Sequence, residues 1–131
     1  MTTTTQLVTG VDFVPFSTQD IDTAMDFYGG KLGLPRSVHI PERNYAEFET
    51  GNVTLSIVVG EAMGIGHNVN RIALALHVDD VAAARATLEE RGVKFEGETL
   101  DTGVCHMAFF ADPDGNALML HHRYAPRVTE S

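Results

Sequence analysis

Apolar residues along this chain come in short runs, broken by glycine, proline and aspartate, and the runs follow the same order twice. Val11, Phe13, Val14 and Phe16 make residues 11–16 a first strand. Pro15 lacks an amide proton for a sheet ladder, so this strand lies at an edge, carries a bulge, or reaches out to a partner chain. Asp20 is a preferred helix N-cap, and Ile21, Ala24, Met25, Phe27 and Tyr28 follow near helical spacing. Gly29 and Gly30 weaken the helix end, and Gly33 with Pro35 terminates it. Residues 37–40, 44–49 and 53–59 read as three strands, with a turn at Gly51 and Asn52. Residues 60–70 show no period and read as a linker or flexible loop. The order then restarts. Residues 72–78 form an apolar strand, Asp79 or Asp80 caps a helix through Val81, Ala84 and Leu88, and Gly92 stops it. Strands at 93–96, 104–111 and 117–122 complete the second unit.

The sharpest local signal is Asp112-Pro113-Asp114-Gly115-Asn116 between two apolar runs. Proline presets φ, the aspartates bond turn amides, and glycine accepts a positive φ, so these residues predict a hairpin. Each half of the chain reads strand, helix, three strands. Such a βαβββ unit cannot bury its sheet face alone, so two must pack together, within one chain or between chains.

Three of these pieces together resemble the vicinal oxygen chelate superfamily of glyoxalases, bleomycin-resistance proteins and extradiol dioxygenases. They are Asp26-Phe27-Tyr28 before Leu32-Gly33-Leu34, residues 72–80, and Phe110-Ala111 before the 112–116 turn. The resemblance covers roughly residues 11–122. It implies an α+β fold in which two βαβββ modules form a curled mixed sheet around a cavity. The expected organisation is one domain over 1–131, with modules at 11–59 and 71–124 joined by a linker at 60–70.

Enzymes of the superfamily usually hold a divalent metal with histidine, glutamate or glutamine from the first and last strands of each module. Carried over, those positions fall on Phe13, Ser56, Ala73 and Met119. Metal sites of this kind want imidazole or carboxylate donors. Phe13, Ala73 and Met119 cannot supply them, and Ser56 alone makes no site. No metal ligand, no cofactor and no catalytic residue is therefore assigned. Apolar residues at these places suit a small-molecule pocket instead. The resemblance is closest in character to the metal-free bleomycin-resistance proteins, which sequester a drug at a dimer interface. Val14-Pro15 matches a pair of that branch, whereas the tryptophan favoured there around the ligand is absent.

The expected ligand-binding residues are Phe13, Pro15, Tyr45, Glu47, Ser56, Ala73, His77, His106, Phe110, Met119 and His121. Of the six histidines, His39, His67 and His122 read as structural, bonded to backbone or water. His77, His106 and His121 are the group expected to reach the cavity. The expected function is sequestration of an aromatic or polycyclic natural product, such as an antibiotic. The competing expectation is a glyoxalase- or dioxygenase-like enzyme using histidines at unusual positions.

Composition adjusts this picture only slightly. A formal net charge of −9 argues against nucleic acid and anionic membrane as partners. The single cysteine, Cys105, permits no intrachain disulfide. No apolar run is long enough to span a bilayer, and the threonine-rich start does not read as a secretory signal, so a cytoplasmic location is expected. A homodimer is expected from the resemblance and from Pro15.

Overall fold

The computed structural model describes residues 6–127. The first module comprises β1 (Phe13–Thr18), α1 (Ile21–Met25), β2 (Arg36–Ile40), β3 (Tyr45–Glu49) and β4 (Thr54–Val59). The second comprises β5 (Leu74–His77), α2 (Val81–Glu90), β6 (Phe95–Asp101), β7 (Cys105–Ala111) and β8 (Ala117–Arg123). They make two four-stranded mixed sheets, ordered β1-β4-β3-β2 and β5-β8-β7-β6. In each, the first strand runs parallel to the last and the others are antiparallel. The fold class is α+β with two βαβββ modules, as expected, and the sheets do not close into a barrel.

The repeat extends to cap geometry. Asp20 has φ −144° and ψ 106°, and Asp80 has φ −144° and ψ 107°. Each carboxylate accepts first-turn amides: Asp20 from Asp22 and Thr23, Asp80 from Ala83. The helices differ in how they end. After α1 the chain widens into a π-helical turn at Asp26–Lys31, where the Leu32 amide donates to the Phe27 carbonyl at 2.9 Å. Gly29 sets how closely this turn packs on the first sheet. A Cβ there would sit 3.1 Å from the Phe48 ring, so glycine lets the turn lie against β3.

Strand alternation sends Phe16, Ala46, Phe48, Leu55 and Ile57 to one face of the first sheet, all buried with Phe27 and Tyr28. In the second sheet Ala108, Phe110, Leu118 and Leu120 do the same with Val81 and Leu88. These two helix-covered faces share one core. The rings of Phe27 and Phe110, from different modules, lie 6.3 Å apart. The opposite sheet faces therefore turn away from the common core.

The 112–116 turn has a second role besides closing the β7–β8 hairpin. Asp114 accepts from the Thr18 hydroxyl at 2.5 Å and the Gln19 amide at 2.9 Å, at the end of β1 in the other module. Buried Asn116 donates to the Ser17 carbonyl at 2.9 Å and to Asp112 at 2.8 Å. Tyr28 donates to Asp112 at 2.7 Å. Burial, then the adjacent Asp112 charge, pushes the Tyr28 phenol far above its ordinary pKa.

The 60–70 segment is more ordered than a linker. It opens with a 3₁₀ turn at Gly60–Met63. Asn70 then bridges the modules, donating from its side chain to the Pro15 carbonyl at 3.1 Å and from its amide to Asn116 at 2.9 Å. Two element limits also move. The first strand begins at Phe13 and runs to Thr18. The strand expected at 93–96 is β6 and continues to Asp101, with a register shift between Glu96 and Leu100. Gly97, at φ +65°, sits in the shifted stretch, which is why the apolar alternation stops there.

Candidate functional site

Register assigns the open, helix-free faces. In the first sheet Pro15 pairs with Ser56, Ser56 with Glu47, and Glu47 with Val38. Phe13 pairs with Thr54, and Thr54 with Glu49. Cα partners on neighbouring strands point to the same side. Phe13, Pro15, Tyr45, Glu47 and Ser56 therefore share one face, and Phe13 is 53% exposed on it. In the second sheet Ala75 pairs with Met119 and Met119 with Phe109. His77 pairs with His121 and His121 with Met107. This face carries Met107, Phe109, Met119 and His121, with Ala73 just before β5 at the same alternation.

Two expected site residues are not on these faces. Phe110 is 2% exposed, pairs with Leu118 and Phe95, and packs 5.0 Å from the Phe95 ring in the shared core. His106 pairs with His122, so it too lies on the side opposite Met119 and His121. A single-residue step along β7 switches face, and the sequence leaves the facing of His106 open. His106 instead sits 3.5 Å from the Asp101 carboxylate, with its ring 4.9 Å from that of Tyr124. Asp101 is held below the usual carboxylate range by the Gly103 amide and the Tyr124 hydroxyl. His77 stands at the exposed end of β5, 3.3 Å from Asp79 and with its ring 5.8 Å from that of His122.

The first open face carries a directed chain of hydrogen bonds. Ser56 donates to the Tyr45 hydroxyl at 3.0 Å, and Tyr45 donates to Glu47. Glu49 accepts from Ser37 at 2.5 Å and from Thr54 at 2.7 Å. Those two hydroxyls hold the Glu49 carboxyl below its ordinary range. Burial and the bond to Glu47 push the Tyr45 phenol up.

The four positions that the resemblance carries over from metal sites, Phe13, Ser56, Ala73 and Met119, all fall on or beside the open faces, with Ser56 itself buried. Their side chains offer a phenyl ring, a hydroxyl, a methyl group and a thioether. That set does not fit a divalent metal of the usual kind. Among the described residues, no three histidine, cysteine, aspartate or glutamate side chains are grouped to hold one.

The sequence reading misses two features: a cleft, and the side-chain partners of His67, which it reads as a structural histidine bonded to backbone or water. The first is a cleft of about 780 Å³ between the modules, lined by Val14, Leu55, Leu74, Leu76, Leu88 and Leu120. Of the expected residues only His77 reaches it. Its walls belong to both modules, so nothing local in the chain announces it; Thr50, Asn52, His77, Thr87 and Arg91 add polar groups to the mainly apolar lining. The second is His67, whose Nδ1 lies 2.9 Å from the Ser17 hydroxyl and whose Nε2 lies 3.9 Å from Asp114. Serine, histidine and aspartate are the residue types of a hydrolase triad. Here Asp114 is already taken by Thr18 and Gln19, the His67–Asp114 separation is too long for a hydrogen bond, and Ser17 is 9% exposed. His67 ties the inter-module loop to β1. His122, as expected, bonds backbone, with its Nδ1 3.1 Å from the Val78 carbonyl.

The family model described as Glyoxalase/Bleomycin resistance protein/Dioxygenase superfamily matches residues 10–120. The chain belongs to that superfamily. A curated relative, the uncharacterized protein YraH of Bacillus subtilis (strain 168), is 29% identical over 114 residues, 78% of this chain and 89% of the relative. Among solved structures, SMU.1112c superposes with a TM-score of 0.70 at 29% identity, covering 88% of this chain and 99% of that one. TnmS3, an antibiotic binding protein from Streptomyces sp. CB03234, superposes with a TM-score of 0.76 at 26% identity, covering 91% and 99%. Superfamily membership accounts for the duplicated modules. No described helix is long and apolar enough to cross a membrane.

Proposed function

We propose that this protein is a metal-free binding protein that sequesters an aromatic or polycyclic natural product, an antibiotic in the leading case, and so protects its host. The observation that carries the reading is the chemistry at the four positions that the resemblance carries over from metal sites. Phe13, Ala73 and Met119 offer apolar and polarizable contact where a Lewis-acid site needs imidazole or carboxylate. The likeness to TnmS3, named as an antibiotic binding protein, supports it.

Each open face is half of an enclosure, since both turn away from the shared core. A homodimer that apposes the first face of one copy to the second face of another would close it. Phe13 at 53% exposure and Leu100 at 50% are then interface or ligand contacts rather than solvated surface. The ligand lies between copies, with Pro15, Tyr45, Glu47 and Ser56 on one wall and Ala73, Met119 and His121 on the other.

Native mass spectrometry of protein from its own host tests this in one measurement. The expected species is a dimer of 14.2 kDa chains with a retained organic ligand and no stoichiometric divalent metal. One tightly held Ni, Zn, Mn or Fe per chain would overturn the reading. Phe13→Ala and Met119→Ala should weaken binding and erase resistance, and denaturing the complex should return the ligand intact. The adjacent pair His77 and His121 favours one alternative, an enzyme of the same fold. A chemically altered ligand, formed at a rate that depends on either histidine, would establish it.

A further inference from the structure

Hydrogen-bond direction on the first open face restricts what that face can receive. Ser37, Tyr45, Thr54 and Ser56 supply its side-chain hydroxyl donors in this network, and each already donates within it. Ser37 and Thr54 give theirs to the two oxygens of Glu49, at 2.5 Å and 2.7 Å. Ser56 gives its proton to Tyr45 at 3.0 Å, and Tyr45 gives its own to Glu47 Oε2. Among the described residues, Glu47 Oε1 has no protein donor and no lysine or arginine pairs with Glu47. A hydroxyl already donating keeps only acceptor capacity, and an ionised carboxylate has nothing else.

Glu47 is also placed for contact. It occupies the middle of β3, beside Ser56 on β4, in the row that includes Pro15. Phe13 projects from the same face one pair along and is half exposed. A flat ring stacked on Phe13 would bring its edge toward Glu47 Oε1.

Resting on the sequestration reading, we propose that Glu47 is the specificity-determining residue of this face. It selects aromatic ligands that carry a hydrogen-bond donor or a cationic amino group, and Tyr45 acts as the positioning residue that aims it. A ligand presenting only acceptors would leave Glu47 Oε1 facing another acceptor, desolvated and unpaired. A donor on the ligand makes a charge-assisted bond instead.

The test is fluorescence titration with two tricyclic dyes of similar frame: proflavine, a cation bearing amino donors, and N-methylacridone, an uncharged acridone whose methylated ring nitrogen leaves only acceptors. Wild-type protein should bind proflavine at least tenfold more tightly than N-methylacridone. Glu47→Gln should weaken proflavine by about tenfold to a hundredfold and leave N-methylacridone within about twofold. Tyr45→Phe keeps the charge and loosens its aim, so it should give a smaller loss for proflavine and none for N-methylacridone. Glu90→Gln removes an equal charge from the exposed surface of α2 and should change neither. Equal losses from Glu47→Gln and Glu90→Gln would mean that proflavine senses only the net charge of −9, and would overturn the inference. N-methylacridone binding as tightly as proflavine overturns the inference alone, leaving sequestration standing. Failure of both dyes to bind overturns the two together.

Discussion

The buried carboxylate Asp112 supports a quantitative prediction about what holds the two modules together. Its Oδ1 accepts the Asp114 and Asn116 amides at 2.9 and 2.8 Å. Its Oδ2 accepts the Tyr28 hydroxyl at 2.7 Å and the Asn116 side chain at 2.8 Å. A carboxylate has about four acceptor sites, and here all are filled by donors. Tyr28→Phe removes one. Ring packing should survive, because Phe16, Phe27 and Phe48 surround the Tyr28 ring with centroids 6.0, 5.2 and 6.0 Å away. The loss is then that of one hydrogen bond to a charged group, about 1.5–3 kcal/mol. Unfolding entropy for a chain of 131 residues converts each kcal/mol into about 3–4 °C of Tm, so the expected drop is about 5–11 °C. Asp112→Asn should cost more, about 3 kcal/mol or above, because its amide must face two donors wherever it is turned. Urea unfolding followed by circular dichroism gives both values, and the double variant completes a cycle. Coupling of at least about 1 kcal/mol is expected. If Tyr28→Phe costs under about 0.5 kcal/mol, or the two effects simply add, the bond does not hold the modules and the reasoning fails.

Three further outcomes follow from the same contacts. The folded Tyr28 phenol titrates above its unfolded value of about 10, so its stabilising contribution is complete below that pH and is lost as pH rises above it. Wild-type stability measured from pH 9 to 12 should therefore fall more steeply than that of Tyr28→Phe, and parallel curves would contradict the assignment. Gly60→Ala places a Cβ 2.0 Å from the Gly66 carbonyl oxygen and 3.0 Å from Ser17 Oγ, so the loop must shift. A loss of about 1–3 kcal/mol and a moved His67 resonance are expected, and an unchanged spectrum would show that the loop has slack. Asp80→Ala leaves the Ala83 amide without its 3.0 Å partner, which should cost about 1 kcal/mol and speed amide exchange in the first turn of α2.

Much of the fold was legible because its signals are local. The aspartates at 20 and 80 cap helices whose apolar spacing follows directly, and Pro15 marks an edge strand by its missing proton. Once the strands of the first sheet are paired, a period of two along β1, β3 and β4 puts Phe13, Pro15, Tyr45, Glu47 and Ser56 on one face. It leaves His106 and Phe110 unplaced in the sequence alone, because the apolar run of β7 hides which parity is the core face when both sides carry large side chains.

Tertiary structure decided what joins the halves. Nothing near Asp112 or Asn116 in the chain indicates that a hairpin turn would take the Tyr28 phenol, the Thr18 hydroxyl and the Ser17 carbonyl from another module. Those partners lie 84 to 99 residues away, and only packing through Phe27 and Phe110 brings them within hydrogen-bond range. The inter-module cleft and the anchoring of His67 arise in the same way. The residue types at the site are a property of the sequence, but the direction of its hydrogen bonds is not. Ser56, Tyr45 and Glu47 become an acceptor-only surface only when β4 is paired beside β3.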